Sequence, residues 1–443
     1  MQTPIYDFLC EYRRKEVSRM HMPGHKGKGP LGCEALDITE VAGADALYEA
    51  DGIIAQSEAA ATELFGSGHT FYSTEGSSQC IRAMLYLAVK NTSGQKRPVI
   101  VAARNVHKAF LYAAALLDFD VVWVNAGSRS SLCQCSITPE DIEKTLSELP
   151  TIPAAVYITS PNYLGEQADI SKIAQVCHRY HTLLAVDNAH GAYLHFLTPS
   201  SHPLDLGADL VCDSAHKTLP VLTGGAYLHI AKKLSGEYIA RGKQALALFG
   251  STSPSYLILA SLDCCNAYLA ANYERNLNTW VAELARAKAQ LMANGWHLAD
   301  SDPLRITIHA PGDISGLVLA EKLRKANIEC EYAEEAYLVL MLTPENTKEE
   351  LELLVHTLGQ NLCRKDYSYI LPDYPSVAAV SIREAFFSEH EVIPVEEAEG
   401  RICGSPMVSC PPAIPIVVSG EIITEQAIRM FKHYGIPTVE VLK

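Results

Sequence analysis

From residue 76 onward, apolar residues gather into short, nearly continuous runs separated by stretches of helical period. The runs are PVIVAA (98–103), DVVWVN (120–125), AAVYITS (154–160), LLAVDNA (183–189), LVCDSA (210–215) and GGAYLHI (224–230). They are β-branched and barely alternate, the pattern of strands covered on both faces. HKAFLYAAALL, TPEDIEKTLSEL and DISKIAQVCHRY lie between them and read as helices. The second carries its own start signal, with Thr138 at the N-cap and Pro139 at the first helical position. This alternation predicts an α/β domain with a large, mainly parallel sheet and crossover helices.

Outside this region the pattern changes. QSEAAATELF (56–65) reads as a helix, and the rest of 1–75, including HMPGHKGKGPLG (21–32), shows neither period. Residues 256–295 read as one or two long helices. A smaller α/β unit follows, with strands RITIHA and YLVLMLT and helices through EKLRKAN and over KEELELLVHTLGQNL. After a break at 363–376 comes a segment rich in proline and glycine. The expected organisation is a major domain over 1–295, a small α/β domain over 296–370 and a C-terminal α+β segment over 371–443.

Composition narrows the class. A formal charge of −15 disfavours a nucleic-acid surface, which needs a clustered basic face. No run approaches about 20 apolar residues, so no membrane span is expected, and no signal peptide is read at the start. The 13 cysteines are scattered and odd in number. They read as thiols of a reducing cytoplasm, and neither Cys133/Cys135 nor Cys264/Cys265 has a second ligand pair at zinc spacing.

The chemistry falls just after the predicted strands, where ligands of doubly wound sheets sit. Lys217 follows LVCDSAH, with Ser214 and His216 beside it; a lysine partly withdrawn from water is a nucleophile for a carbonyl. Asp187 ends LLAVD, where a carboxylate can keep a pyridine nitrogen protonated. TEGSS (74–78) leads small residues into an amphipathic helix whose first amides form a phosphate cradle. His107, after VIVAA, can lie flat on an aromatic ring. Taken singly, these also read as a surface lysine, a helix cap, an ordinary helix start and a structural histidine.

In that order, the motifs resemble the Orn/Lys/Arg decarboxylase family of fold type I (aspartate-aminotransferase-like) enzymes, which depend on pyridoxal 5'-phosphate. The matching segments are HMPGHKG (21–27), DITEVAGADALYEADGII (37–54), TEGSS, RNVHKA (104–109), ITSPNYLGEQADI (158–170), VDNAHGAYLHF (186–196), DSAHKT (213–218) and EAEGRICGSPMVSCPPAIPIVVSGE (397–421). The chain resembles the short branch without an N-terminal wing domain. The resemblance implies that Lys217 forms the Schiff base, Asp187 pairs with the ring nitrogen and His107 stacks on the ring. It implies that Gly76, Ser77, Ser78, Ser214 and His216 hold the phosphate, and that Ala189 packs under the ring with His190 nearby. Glu75, Asn188, Cys410 and Ala413 depart from the family pattern.

The implied reaction is decarboxylation of arginine, lysine or ornithine to a polyamine-pathway amine by a cytoplasmic homodimer. Asp37, Glu40, Asp45 and Glu421 are candidate partners for the basic side chain. Three alternatives stay open at this point. They are another reaction of the same cofactor (transamination or elimination), a silent cofactor-binding homologue, and a metal hydrolase using His21, His25 and His190.

Overall fold

The structure is a computed structural model that describes residues 1–92, 97–124, 131–134, 136–234, 236–312, 314–361, 371, 377–405 and 414–443. Cys135, Cys410, Ala413 and most of the 363–376 break lie outside the described residues. The described strands are β1 (His69–Ser73), β2 (Val99–Ala103), β3 (Asp120–Val124), β4 (Ala155–Thr159), β5 (Leu183–Asp187), β6 (Leu210–Asp213), β7 (Ala226–Ile230), β8 (Arg305–His309), β9 (Tyr332–Ala333), β10 (Tyr337–Met341), β11 (His390–Pro394) and β12 (Thr438–Leu442). The chain forms two compact units, one of Met1–Asn91 with Leu183–Leu277 and one of Thr92–Thr182 with Asn278–Lys443.

In the first unit the strands are ordered β1-β7-β6-β5. β5 and β6 are parallel, with Val186 opposite Val211. β7 runs antiparallel to both neighbours. A parallel return needs a crossover of a dozen or more residues, usually a helix. The segment between Asp213 and Ala226 holds only the one-turn helix Ala215–Thr218, so the chain doubles back. The second unit holds β4-β2-β3, all parallel and linked through the helices Lys108–Leu117 and Pro139–Glu148. Thr138 and Asp141 close a capping box at the start of the latter helix.

The expectation that 1–75 is irregular apart from 56–65 is corrected. Helices occupy Pro4–Arg14 and Ile53–Leu64, and β1 pairs with β7 from His69↔Ile230 to Ser73↔Ala226. The first helix buries only Ile5 and Leu9, one turn apart. Thr3 does not cap it. Asp263 Oδ2 accepts the Ile5 and Tyr6 amides at 2.9 and 3.0 Å instead. That carboxylate lies more than 250 residues away in sequence, so no local motif announces the helix. The long helical stretch comprises the helices Tyr256–Tyr268 and Glu274–Ala293, with a π-turn over Leu269–Tyr273 between them.

The second unit also contains the three-stranded sheet β8-β10-β9 and the antiparallel pair β11–β12. Tyr332 and Val339 of the small sheet share one apolar core with Ile393, Val395, Ile416, Ile423, Phe431 and Val441 of the C-terminal segment. The proline- and glycine-rich tail is therefore folded onto hydrophobic ground of its own unit.

Candidate active site

The first unit gathers most of the expected site residues at strand ends. β5 ends on Asp187, which is 2 % exposed. Its Oδ1 accepts the Ala189 amide at 3.1 Å and the Cys212 thiol at 3.6 Å. Burial pushes the Cys212 thiol well above its ordinary range, so the sulfur keeps its proton and donates it. Ala189 is buried behind this turn.

β6 ends on Asp213, and the one-turn helix that follows carries His216 and Lys217. The Lys217 amine lies 2.7 Å from His190 Nε2. An ammonium has donors only, so His190 Nε2 is the acceptor of this bond. His216 Nδ1 donates to the Gly225 carbonyl at 2.9 Å, and burial lowers this imidazole's pKa. A neutral His216 thus leaves Nε2 as its remaining polar atom.

Opposite these, β1 leads into the 15-residue helix Gly76–Lys90. Gly76 turns the chain at φ +70°, and its amide donates to Gly224 O at 2.8 Å. A side chain at Gly224, itself at φ +100°, would put Cβ 2.9 Å from the Thr74 carbonyl oxygen. The two glycines thereby fix the helix start beside the β6–β7 connection. Ser214 Oγ donates to Ser77 Oγ at 2.7 Å across that junction, and Ser78 is half-buried one residue on.

Pyridoxal phosphate fits the residues present. Helix-start amides and two facing serine hydroxyls suit a phosphate. Nothing lies within 4 Å of where a Gly76 Cβ would stand. The buried Thr218 hydroxyl in the lysine-bearing turn has no hydrogen-bond partner. A buried carboxylate and an amine held by a histidine complete the donor set. His107 belongs to the second unit, where its Nδ1 accepts the Ala109 amide at 3.2 Å and caps the helix Lys108–Leu117.

Two of the four acids considered for the substrate's side chain are committed elsewhere. Asp45 accepts the amides of Ala46, Asp51, Gly52, Ile54 and Ala55, which hold its pKa down against the opposing effect of burial. Glu421 receives both terminal nitrogens of Arg104 at 2.7 and 2.9 Å. Asp37 Oδ2 meets His25 Nε2 at 3.0 Å, and Glu40 is exposed. The histidines of the hydrolase alternative are engaged separately: His21 with Tyr12, His25 with Asp37, His190 with Lys217.

Sequence reasoning passed over a buried polar cluster behind the strand ends, formed by Asn188, His202, Asp213 and His229. A carboxylate closing the otherwise apolar run LVCD was the available signal.

Comparison with known proteins identifies the family. The profile of the Orn/Lys/Arg decarboxylase major domain matches residues 3–310, and that of the C-terminal domain matches residues 360–435. An arginine decarboxylase of Halalkalibacterium halodurans is 31% identical over 98% of this chain and 94% of its own length. One from Bacillus subtilis is 30% identical over 98% and 95%. Among solved structures, the lysine decarboxylase of Francisella novicida superposes with a TM-score of 0.81 at 17% identity, covering 100% of this chain and 81% of its own.

Proposed function

The chain belongs to the Orn/Lys/Arg decarboxylase family, and from that premise we propose that it is an arginine decarboxylase, releasing CO2 from L-arginine to leave agmatine. The enzyme is a pyridoxal-phosphate-dependent decarboxylase of a basic amino acid, on the α/β fold of fold type I. Arginine is favoured among the three candidates because the similar arginine decarboxylases are 31% and 30% identical over 98% of the chain, against 22% over 95% for a lysine decarboxylase of Pseudomonas aeruginosa.

The observation that carries the site assignment is the 2.7 Å contact between Lys217 and His190, one strand end from buried Asp187. Pyridoxal phosphate, when bound, supplies the electron sink that lets a carboxylate leave as CO2. Lys217 is assigned as the amine that attaches the cofactor. His190 is placed to orient that amine through its 2.7 Å contact. Asp187 is assigned to hold a proton at the pyridine nitrogen. Its burial and its two donors keep the carboxylate aimed rather than hydrated. Gly76, Ser77, Ser78, Ser214 and His216 are assigned to the phosphate, Ala189 to the underside of the ring and His107 to stacking on it.

The division into 1–295, 296–370 and 371–443, a homodimer, cytoplasmic residence and a place in polyamine synthesis belong to the same proposal. Exposed Met20, Met22 and Leu31 flank or lie in the matching segment 21–27, and they suit a covered face. Among the described residues no helix is long and apolar enough to cross a membrane.

One experiment tests the reading. The protein is incubated with pyridoxal phosphate and arginine, lysine or ornithine, and the products are identified. Agmatine with CO2 is expected. Cadaverine or putrescine as the main product would replace the substrate, and a keto acid without CO2 would replace the reaction. Borohydride reduction of the loaded protein followed by peptide mapping should place the label on Lys217.

A further inference from the structure

Behind the strand ends lies a polar cluster that no assigned role uses. Asp213, fully buried, accepts three hydrogen bonds: from Asn188 Nδ2 at 2.7 Å to Oδ1, and from His202 Nε2 at 3.0 Å and His229 Nε2 at 3.1 Å to Oδ2. One tautomer is dictated from outside, and the other by the carboxylate, which only accepts. Leu204 N donates to His202 Nδ1, and the Thr70 hydroxyl meets His229 Nδ1 at 2.8 Å, itself paired with Ser67. Both Nε2 atoms therefore carry protons toward Asp213. Burial opposes its ionisation, but His202 and His229 hold its pKa well below the ordinary carboxylate range. A buried carboxylate with three donors is rigid, because any displacement strips a bond from a charge in a low dielectric.

The position of this cluster gives it consequence. Asn188 stands between Asp187 and Ala189, and Asp213 immediately precedes Ser214 and the turn of Lys217. Besides the Cys212–Asp187 contact, the strand tips are joined by Asn188 N to Cys212 O at 2.9 Å and by the Asn188–Asp213 side-chain bond. The Asn188 Oδ1 atom is buried and has no hydrogen-bond partner. It sits 2.1 Å from where a Gly191 Cβ would be, so the amide occupies space that only glycine leaves open. Its orientation is thus set by Asp213.

We infer that Asp213 is a positioning residue, which through Asn188 locks the tips of β5 and β6 so that Asp187 and Lys217 meet the cofactor in fixed relation. The inference rests on the assignment of those two residues. Removing the charge at 213, or the donor at 188, breaks the side-chain link between the two tips and loosens their relation, while leaving every cofactor contact chemically intact.

The test compares Asp213→Asn, Asn188→Asp and the exchange Asn188→Asp/Asp213→Asn. With Asn188 held in its parent orientation, Asp213→Asn sets a donor against a donor, and Asn188→Asp sets an acceptor against an acceptor. In the exchange, the new amide at 213 offers its carbonyl to both histidines and its NH2 to the new carboxylate at 188. Three quantities are measured: melting of the cofactor-free protein, the dissociation constant of pyridoxal phosphate, and the pH midpoint of the visible absorbance of the loaded protein. Each single variant should bind the cofactor about tenfold to a hundredfold more weakly, the worth of a hydrogen bond to a buried charge, and shift the pH midpoint. The exchange should recover the affinity to within about threefold of the parent. Folded single variants that melt lower yet keep the parent affinity and midpoint would reduce Asp213 to a structural role and overturn the inference, as would an exchange no better than the worse single variant. If none of the three folds, Asn188→Ala decides, since it leaves Asp213 and both histidines untouched. Weakened affinity upholds the inference and parent affinity overturns it. A borohydride label on a lysine other than Lys217 in the parent protein would instead overturn the site assignment beneath it.

Discussion

Glu421→Ala separates a structural carboxylate from a substrate-binding one. Glu421 is 4 % exposed in its side chain and Arg104 is 11 % exposed. The substitution removes two charged hydrogen bonds, at 2.7 and 2.9 Å, together with the acceptor of the Val418 amide at 2.8 Å. Arg104 keeps the Ile416 carbonyl at 3.3 Å and the Trp123 ring at 4.8 Å. Breaking one side of a buried pair costs about 3–5 kcal/mol, and the lower end applies because Arg104 is left with these two partners. A net loss of about 3 kcal/mol corresponds to roughly 150-fold faster opening at 1.4 kcal/mol per tenfold. Hydrogen exchange of peptides spanning 414–423 reads this directly, without requiring the whole 443-residue chain to unfold in one step. The double substitution Arg104→Met/Glu421→Leu should recover most of the loss, because no charge is then left buried alone. Exchange accelerated by less than about fivefold, roughly 1 kcal/mol, would refute the reasoning. So would unchanged exchange with KM for arginine raised about a hundredfold, the signature of a substrate contact.

Three further outcomes are expected. Glu334 is raised above the ordinary 4.5 by burial, only partly countered by hydrogen bonds from Ser131, Tyr332 and Tyr434. The folded state therefore holds its proton more tightly than the unfolded one, and this contribution is complete below pH 4.5 and lost as pH rises through the folded value. Glu334→Gln should match the parent melting temperature in acid and exceed it at neutral pH; a parallel pair of pH–melting curves would contradict this. Gly224→Ala meets the Thr74 carbonyl oxygen at 2.9 Å from a φ of +100° and should cost about 1–3 kcal/mol of local strain. Cofactor affinity measured by equilibrium dialysis should fall about tenfold, and parent affinity would show that the helix start at Gly76 is positioned by other means. Asp187→Asn preserves shape and the Ala189 contact, so bound cofactor should persist while kcat drops about a hundredfold or more; near-normal turnover would remove Asp187 from its assigned role.

The local pattern of the chain was enough to place β2 to β6, the helices between β2 and β5 and the Thr138 cap, because each rests on residues within a few positions of one another. It also placed Asp187, Ser77, Ser214 and Lys217 at element ends, where chemistry in such sheets is carried out. Tertiary structure decided what depends on partners far along the chain. The first helix is capped by Asp263, and β1 exists as a strand by pairing with β7. Glu421 looked free in sequence and is spent on Arg104, 317 residues away. Asp213 read only as a letter of DSAHKT until His202, His229 and Asn188 closed around it. Periodicity and capping report short-range sterics and hydrogen bonds, whereas the fate of a buried charge is set by whichever distant donors the folded chain delivers to it.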